Sequence, residues 1–259
     1  TIIADRLSRI KPSMTVGINI KANELRATGK NVLVLAAGEP DFDTPINIRQ
    51  AAIKAMEEGQ TRYVPGKGTP LLQEAIIEKF KKDNNIIYSQ EEIMVGVGGK
   101  HIIYNAMLAT LNPGDEVLLP APYWVSYSAI SILAEATYVE IPSTIETDFK
   151  ITPEQLEAAI TPKTKMIFFN SPNNPSGTVY TEAEYRALAK VLEKHPQIYI
   201  LSDEIYEHIN YGAPNFSFAA IESMYDRTIT VNGVAKAFAM TGWRIGYIGA
   251  PEWIAKACN

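Results

Sequence analysis

MIFFNSPNNPSGTVYTEAEYRALAKVLEKHPQIYILSDEIYEH, residues 166–208, holds the pattern on which the fold turns. Two short apolar, β-rich runs, Met166–Asn170 and Tyr199–Ser202, flank a stretch of helical periodicity, Glu182–Lys194, and Asn, Pro, Gly and Thr punctuate the joins. The same alternation extends on both sides. Strands are expected at Ile93–Val97, Glu116–Leu119, Thr137–Ile141, Thr228–Val231 and Ile245–Ile248, with helices at Lys100–Leu111, Tyr123–Leu133 and Pro153–Ile160. Strand–helix alternation implies an α/β fold, a mainly parallel sheet with helices on both faces, and places ligands beyond the carboxyl ends of the strands. The first 90 residues read differently. Amphipathic stretches Ile18–Ala27, Asn47–Glu58 and Leu71–Asp83 are joined by the loops AGEPDFDTP and TRYVPGKGTP, the pattern of an arm or wrapping segment.

Composition narrows the function classes. The 259 residues carry 24 Lys+Arg against 29 Asp+Glu, a formal net charge of −5, and 46% are hydrophobic, so a sizeable core is available and disorder is excluded. An acidic balance without basic runs gives no reason to expect nucleic acid or an anionic membrane as partner. No apolar stretch reaches membrane-spanning length and no leader pattern opens the chain, from which a cytoplasmic protein is expected. The single Cys258 excludes an internal disulfide framework, and three scattered histidines, His101, His195 and His208, argue against a metal site.

Candidate chemistry falls at the strand ends. In YILSDEIYEHI a strand delivers Asp203 to its carboxyl end, with Tyr206 one turn on. Such a carboxylate caps a helix, joins a salt bridge, or holds a ring nitrogen protonated. In VNGVAKAFAMTGWRIGY, Lys236 sits among small and apolar residues with no acid within five positions, and Arg244 stands eight residues later. A lysine so placed reaches solvent, pairs at long range, or loses charge and becomes a nucleophile for carbonyls, and the arginine offers a forked phosphate ligand beside it. VGVGGKHIIYNA runs a strand through Gly96, Gly98 and Gly99 into a helix whose exposed amides favour an anion, with neither P-loop nor dinucleotide spacing. PAPYWVSY places Trp124 at a helix start, as a core residue or a stacking face. FFNSPNNPSG, with Asn173, Asn174, Pro175 and Gly177, is an ordinary turn unless an amide at the strand's carboxyl end meets a ligand oxygen.

Together these form a parts list for pyridoxal 5′-phosphate (PLP). The chain closely resembles the class I aminotransferases of PLP fold type I, and among them the bacterial aspartate aminotransferase branch. The resemblance runs in order through KPSMTV (11–16), AGEPDF (37–42), YVPGKG (63–68), VGGKH (97–101), PYWVSY (122–127), SPNNPSG (171–177), SDEIYEH (202–208) and NGVAKAFAMTGWRIGY (232–247). It implies that Lys236 forms the Schiff base and shuttles the substrate proton, and that Asp203 pairs with the pyridinium nitrogen. Tyr206 and Asn174 bond the phenolic oxygen, Trp124 stacks on the ring, and Arg244 with the amides of Gly99 and Lys100 grips the phosphate. Gly38 lies against the substrate carboxylate, and Lys100 pairs with the distal carboxylate of a dicarboxylic substrate. Tyr63 reaches the neighbouring subunit's phosphate, implying a homodimer with shared sites. Gly233 departs from a phosphate-binding serine found in some members.

The resemblance further implies transamination of an L-amino acid to a 2-oxoacid, foremost L-aspartate with 2-oxoglutarate. Prephenate, aromatic, alanine or kynurenine specificity, a PLP lyase, and a non-catalytic sensor domain stand as alternatives. It implies an arm over residues 1–45, a large PLP domain over 46–259, and cis peptide bonds at Ala121–Pro122 and Asn174–Pro175. Family members continue past the last helix of this chain into a small domain bearing the arginine for the α-carboxylate. The 259 residues alone are therefore expected to transaminate little or not at all.

Overall fold

The computed structural model describes residues 2–12, 14–35, 38–212 and 214–259, so Ser13 of KPSMTV and Ala37 of AGEPDF lie outside the described residues. Its elements come in the order α1 (Met14–Ala27), α2 (Ile46–Glu57), α3 (Pro70–Asn84), β1 (Ile93–Gly96), α4 (Gly99–Thr110), β2 (Glu116–Pro120), α5 (Ser126–Leu133), β3 (Thr137–Ile141), α6 (Pro153–Ala159), β4 (Thr164–Asn170), α7 (Glu182–Leu192), β5 (Tyr199–Asp203), β6 (Thr228–Gly233), β7 (Gly246–Gly249) and α8 (Glu252–Cys258). Local chemistry sets several boundaries. Thr69, Thr152 and Thr181 cap α3, α6 and α7 by accepting a backbone N–H of the first turn, with Pro opening α3 and α6. The left-handed Asn85 (φ 56°) ends α3.

The seven strands lie in the order β1-β7-β6-β5-β4-β2-β3. β7 runs antiparallel to both of its neighbours, and the other neighbouring strands are parallel. Side chains alternate across the sheet. Val117, Leu119, Met166, Phe168 and Leu201 join α4, α5 and α8 in one core, while Leu118, Ile167, Phe169 and Ile200 join α6 and α7 in another. Helix α3 covers the β1–β7 edge through Ile76 and Phe80. The result is three layers, helices on both faces of a mainly parallel sheet. Helices α1 and α2 stand apart from these cores: only Ala22 is buried among the described residues of α1, and α2 buries none.

Most boundaries shift by a residue or two from the sequence reading, and two of the shifts bear on the site. Helix α5 begins at Ser126, so Trp124 stands in the loop after β2 rather than in a helix, and β7 starts at Gly246. The peptide bonds before Pro122 and Pro175 are cis, as the resemblance implies, and so is that before Pro172. The chain leaves β2 outward to β3 and returns to pair β4 against β2, so the connections diverge between β2 and β4. In open sheets of this kind ligands bind beyond the carboxyl ends of the strands, near such a divergence. Among the described residues no helix is long and apolar enough to cross a membrane, and no group of His, Cys, Asp and Glu could hold a metal ion.

Candidate active site

Asn170 and Asp203 close β4 and β5 as register partners, which puts both at the carboxyl end of the sheet. Asn170 organises the turn beyond β4: its Nδ2 donates to the Asp203 carbonyl at 2.8 Å, and its Oδ1 accepts the Asn174 N–H at 2.7 Å. The Asn174 amide in turn donates to the Tyr206 hydroxyl at 3.3 Å. Asp203 is only 5% exposed. Its Oδ2 accepts from the buried Tyr127 hydroxyl at 2.7 Å, while Oδ1 has a single long bond, 3.3 Å, from the Ile205 N–H. Burial drives the Asp203 carboxyl up to about 6 against the pull of those two donors. The Tyr206 hydroxyl is likewise raised, by burial first and by the charge of Asp203 second.

Lys236 sits in the turn after β6, its amine 5.8 Å from the Tyr206 ring centroid and donating to the Gly38 carbonyl. Burial lowers the amine below the usual lysine range, Arg244 adding to the shift and Glu39 opposing it. The segment around Gly38 is fastened over this turn at two further points, Thr241 Oγ1 to Glu39 Oε2 at 3.0 Å and Trp243 Nε1 to Thr44 Oγ1 at 3.0 Å. Ala239 (φ 50°) and Arg244 (φ 56°) both hold the left-handed conformation that non-glycine residues avoid. Both stand in the stretch that follows Lys236.

The amino end of α4 and Arg244 face each other closely. Gly98 adopts φ 85°, and a Cβ there would stand 2.3 Å from Arg244 Nη2. Gly246 permits the same approach on the strand side, since its own Cβ would meet the Gly99 nitrogen at 2.5 Å. Glycine is required at both places, and it lets the guanidinium of Arg244 approach Gly98, just before the first turn of α4. The ammonium of Lys100 lies 5.0 Å over the Trp124 ring, and Trp124 packs edge-on against Tyr127 with centroids 5.5 Å apart.

Contacts thus run from Gly38 through Lys236, Tyr206 and Asn174, by way of Asn170 to Asp203, and by way of Tyr127 to Trp124 and Lys100, while Arg244 lies against Gly98 at the start of the same helix as Gly99. Tyr63 is not brought in; it is fully exposed, on the loop before α3. Sequence reasoning missed Tyr127 and Asn170 as partners of Asp203. Tyr127 stands three residues after Trp124 in PYWVSY, and Asn170 stands in FFNSPNNPSG at the end of its strand, so both lay inside strings already marked for their chemistry.

Residues 30–259 match the family model for aminotransferase class I and II. The chain is 53% identical over 257 residues to the aspartate/prephenate aminotransferase of Cereibacter sphaeroides, covering 98% of this chain and 64% of that protein. It is 49% identical to an aspartate aminotransferase of Rhizobium meliloti, covering 98% of this chain and 62% of that one. The crystal structure of the Rhizobium meliloti aspartate aminotransferase superposes with a TM-score of 0.97 at 47% identity, covering all of this chain and 65% of that one. The Thermus thermophilus aspartate aminotransferase with maleate gives a TM-score of 0.96 at 46% identity, over all of this chain and 67% of that one. The chain spans a little under two thirds of the length of the two relatives compared by sequence.

Proposed function

The chain belongs to the class I and II aminotransferases, and from that membership we propose that it forms the cofactor-binding part of an enzyme transferring the amino group of L-aspartate to 2-oxoglutarate. The family works with PLP, and the donor set fits that group. A buried carboxyl whose Oδ1 is under-used, a desolvated amine, and a guanidinium beside the glycine turn that opens α4 match a ring nitrogen, an aldehyde and a phosphate in turn. Bound PLP supplies a conjugated electron sink and a carbonyl that takes up an amino group.

The chain's own residues do the rest. Lys236 would hold the cofactor through Nζ, and its amine, whose proton affinity burial lowers, would move the substrate proton. Asp203, its ionised form favoured by a cationic partner, would keep the ring nitrogen protonated, and Tyr127 fixes the carboxyl's direction. Asn174 and Tyr206, already bonded to each other, bind the phenolic oxygen. Arg244 with the amides of Gly99 and Lys100 holds the phosphate, and Trp124 stacks on the ring. Gly38 orients the substrate α-carboxylate, and the Lys100 ammonium takes its distal carboxylate.

The observation that carries the reading is the convergence of a desolvated lysine amine and a buried carboxyl on one tyrosine, Tyr206. The preference for a dicarboxylic substrate draws on Lys100, on the printed activities of the relatives and on maleate in the Thermus structure. Prephenate is the second reading, favoured by the activity in the name of the Cereibacter relative. Division into an arm, residues 1–45, and a PLP domain, residues 46–259, belongs to the same proposal, as does a homodimer in which the exposed Tyr63 completes the neighbouring site. Adding single amino acids to the PLP-loaded full-length protein tests the function. Aspartate should convert the visible lysine-linked form to the pyridoxamine form, and added 2-oxoglutarate should restore it. Failure of aspartate and every other amino acid to do so refutes transamination, and turnover without an oxoacid points to a lyase.

A further inference from the structure

Beneath the turn that carries Asp203 and Tyr206 lies a buried polar network for which the proposed chemistry has no use. Its centre is Glu207, 7% exposed. Glu207 Oε1 forms an ion pair with Lys79 and accepts from Asn232 Nδ2 at 2.7 Å, while Oε2 accepts from Asn84 Nδ2 at 2.7 Å. Lys79 and Asn84 belong to α3 and Asn232 to β6. Glu204, 1% exposed, adds a second hold, accepting from Ser202 at 2.9 Å, Ser217 at 2.5 Å and Asn84 at 3.4 Å.

A buried ion pair is a poor source of stability, because desolvation offsets much of the attraction; what it can supply is direction. Here the direction is specific. Glu207 comes directly after Tyr206 and four residues after Asp203, and Asn232 precedes Lys236 by four. Asn232 Oδ1 also accepts the Gly233 N–H at 2.7 Å, which fixes the backbone leaving β6 toward Lys236. The Glu207–Asn232 bond therefore ties together the two segments whose separation sets the distance from Tyr206 and Asp203 to the lysine amine, and α3 anchors the tie from behind.

We propose that Glu207 is a positioning residue for the reaction: held by Lys79 and Asn84, it sets through Asn232 the place of Lys236 relative to Asp203 and Tyr206. It touches none of the reacting groups. The proposal rests on the PLP reading of the site.

The test uses the full-length holoenzyme as wild type, Glu207→Gln, Asn232→Ala and Leu156→Ala. Glutamine keeps the shape of Glu207 but leaves Lys79 without its anion and turns an NH2 group toward donors. Asn232→Ala cuts the tie to β6 and leaves the Lys79 ion pair in place. Leu156 is a buried α6 residue in the core on the α6–α7 side, and its truncation lowers stability without touching the network. Glu207→Gln should lower kcat about tenfold or more with the aspartate KM within about twofold, since small misplacements of reacting groups are costly. It should also move the pH midpoint of the visible lysine-linked band and weaken PLP binding. Asn232→Ala should do the same in smaller measure, whereas Leu156→Ala should lower the melting temperature and leave the midpoint unmoved. If both network variants melt lower yet keep the wild-type midpoint, PLP affinity and kcat, the network is structural and the proposal falls. Failure of both to fold overturns it equally, by making the network a requirement of the fold. The PLP reading fails separately, and takes this proposal with it, if the wild type shows no visible band and no borohydride-fixed adduct on Lys236.

Discussion

Replacing Asp203 by Asn should make the cofactor-free protein more stable at neutral and alkaline pH. Burial raises the carboxyl from its ordinary 3.8 to about 6. An acid with a raised folded pKa holds more protons in the native state than in the unfolded one. Its contribution to stability is therefore full below the ordinary carboxylate range and is lost as pH rises through about 6. At about 1.4 kcal/mol per pKa unit, ionising this buried group costs about 3 kcal/mol. Asparagine never ionises, and its carbonyl can still accept the Tyr127 hydroxyl, so the main loss is the long bond from Ile205, about 1 kcal/mol at most. The variant should thus be more stable by about 2 kcal/mol at pH 8 or so and no more stable than wild type near pH 4. Urea unfolding monitored by circular dichroism across that range measures it. Glu204, also raised, to about 7, is present in both proteins and cancels in the difference. Saturating PLP should reverse the order at high pH, because a pyridinium partner favours the ionised aspartate and not the amide. A stability difference that stays constant with pH would refute the reasoning, since the carboxyl would then not be titrating against burial.

Lys236→Ala should abolish the borohydride-fixable cofactor and lower turnover by several orders of magnitude; a reducible adduct at another lysine, located by peptide mapping, would contradict the assignment. Gly98→Ala should cost about 1–3 kcal/mol in urea unfolding, from the φ of 85° and the closeness of Arg244, and should weaken PLP binding in a fluorescence titration. PLP affinity equal to wild type would remove Arg244 from the phosphate site. Lys100→Met should raise the Michaelis constant for aspartate more than that for alanine, because only aspartate loses a charge-assisted contact; equal changes in steady-state kinetics would leave Lys100 without a part in specificity.

Local sequence was sufficient for the elements and for the residues standing at their ends. Apolar period and turn residues located all seven strands within a few residues, because helices and strands arise from near-neighbour chemistry and period. That was enough to put Asp203 at the end of β5, a Gly-rich turn ahead of α4, and Lys236 beyond β6. Which of these residues meet was left to the tertiary structure. Gly38 and Lys236 are 198 positions apart, Tyr127 and Asp203 are 76, and the Asn84–Glu207 bond of the buried network spans 123. Such pairings depend on β4 returning to lie against β2 and on β7 inserting antiparallel between β1 and β6. Sheet order is settled by how the helical layers bury both faces at once, a property of the whole chain that no local window carries. Trp124 illustrates the boundary: its aromatic character was legible, yet only the packing against Tyr127 placed it outside the helix and beneath Lys100.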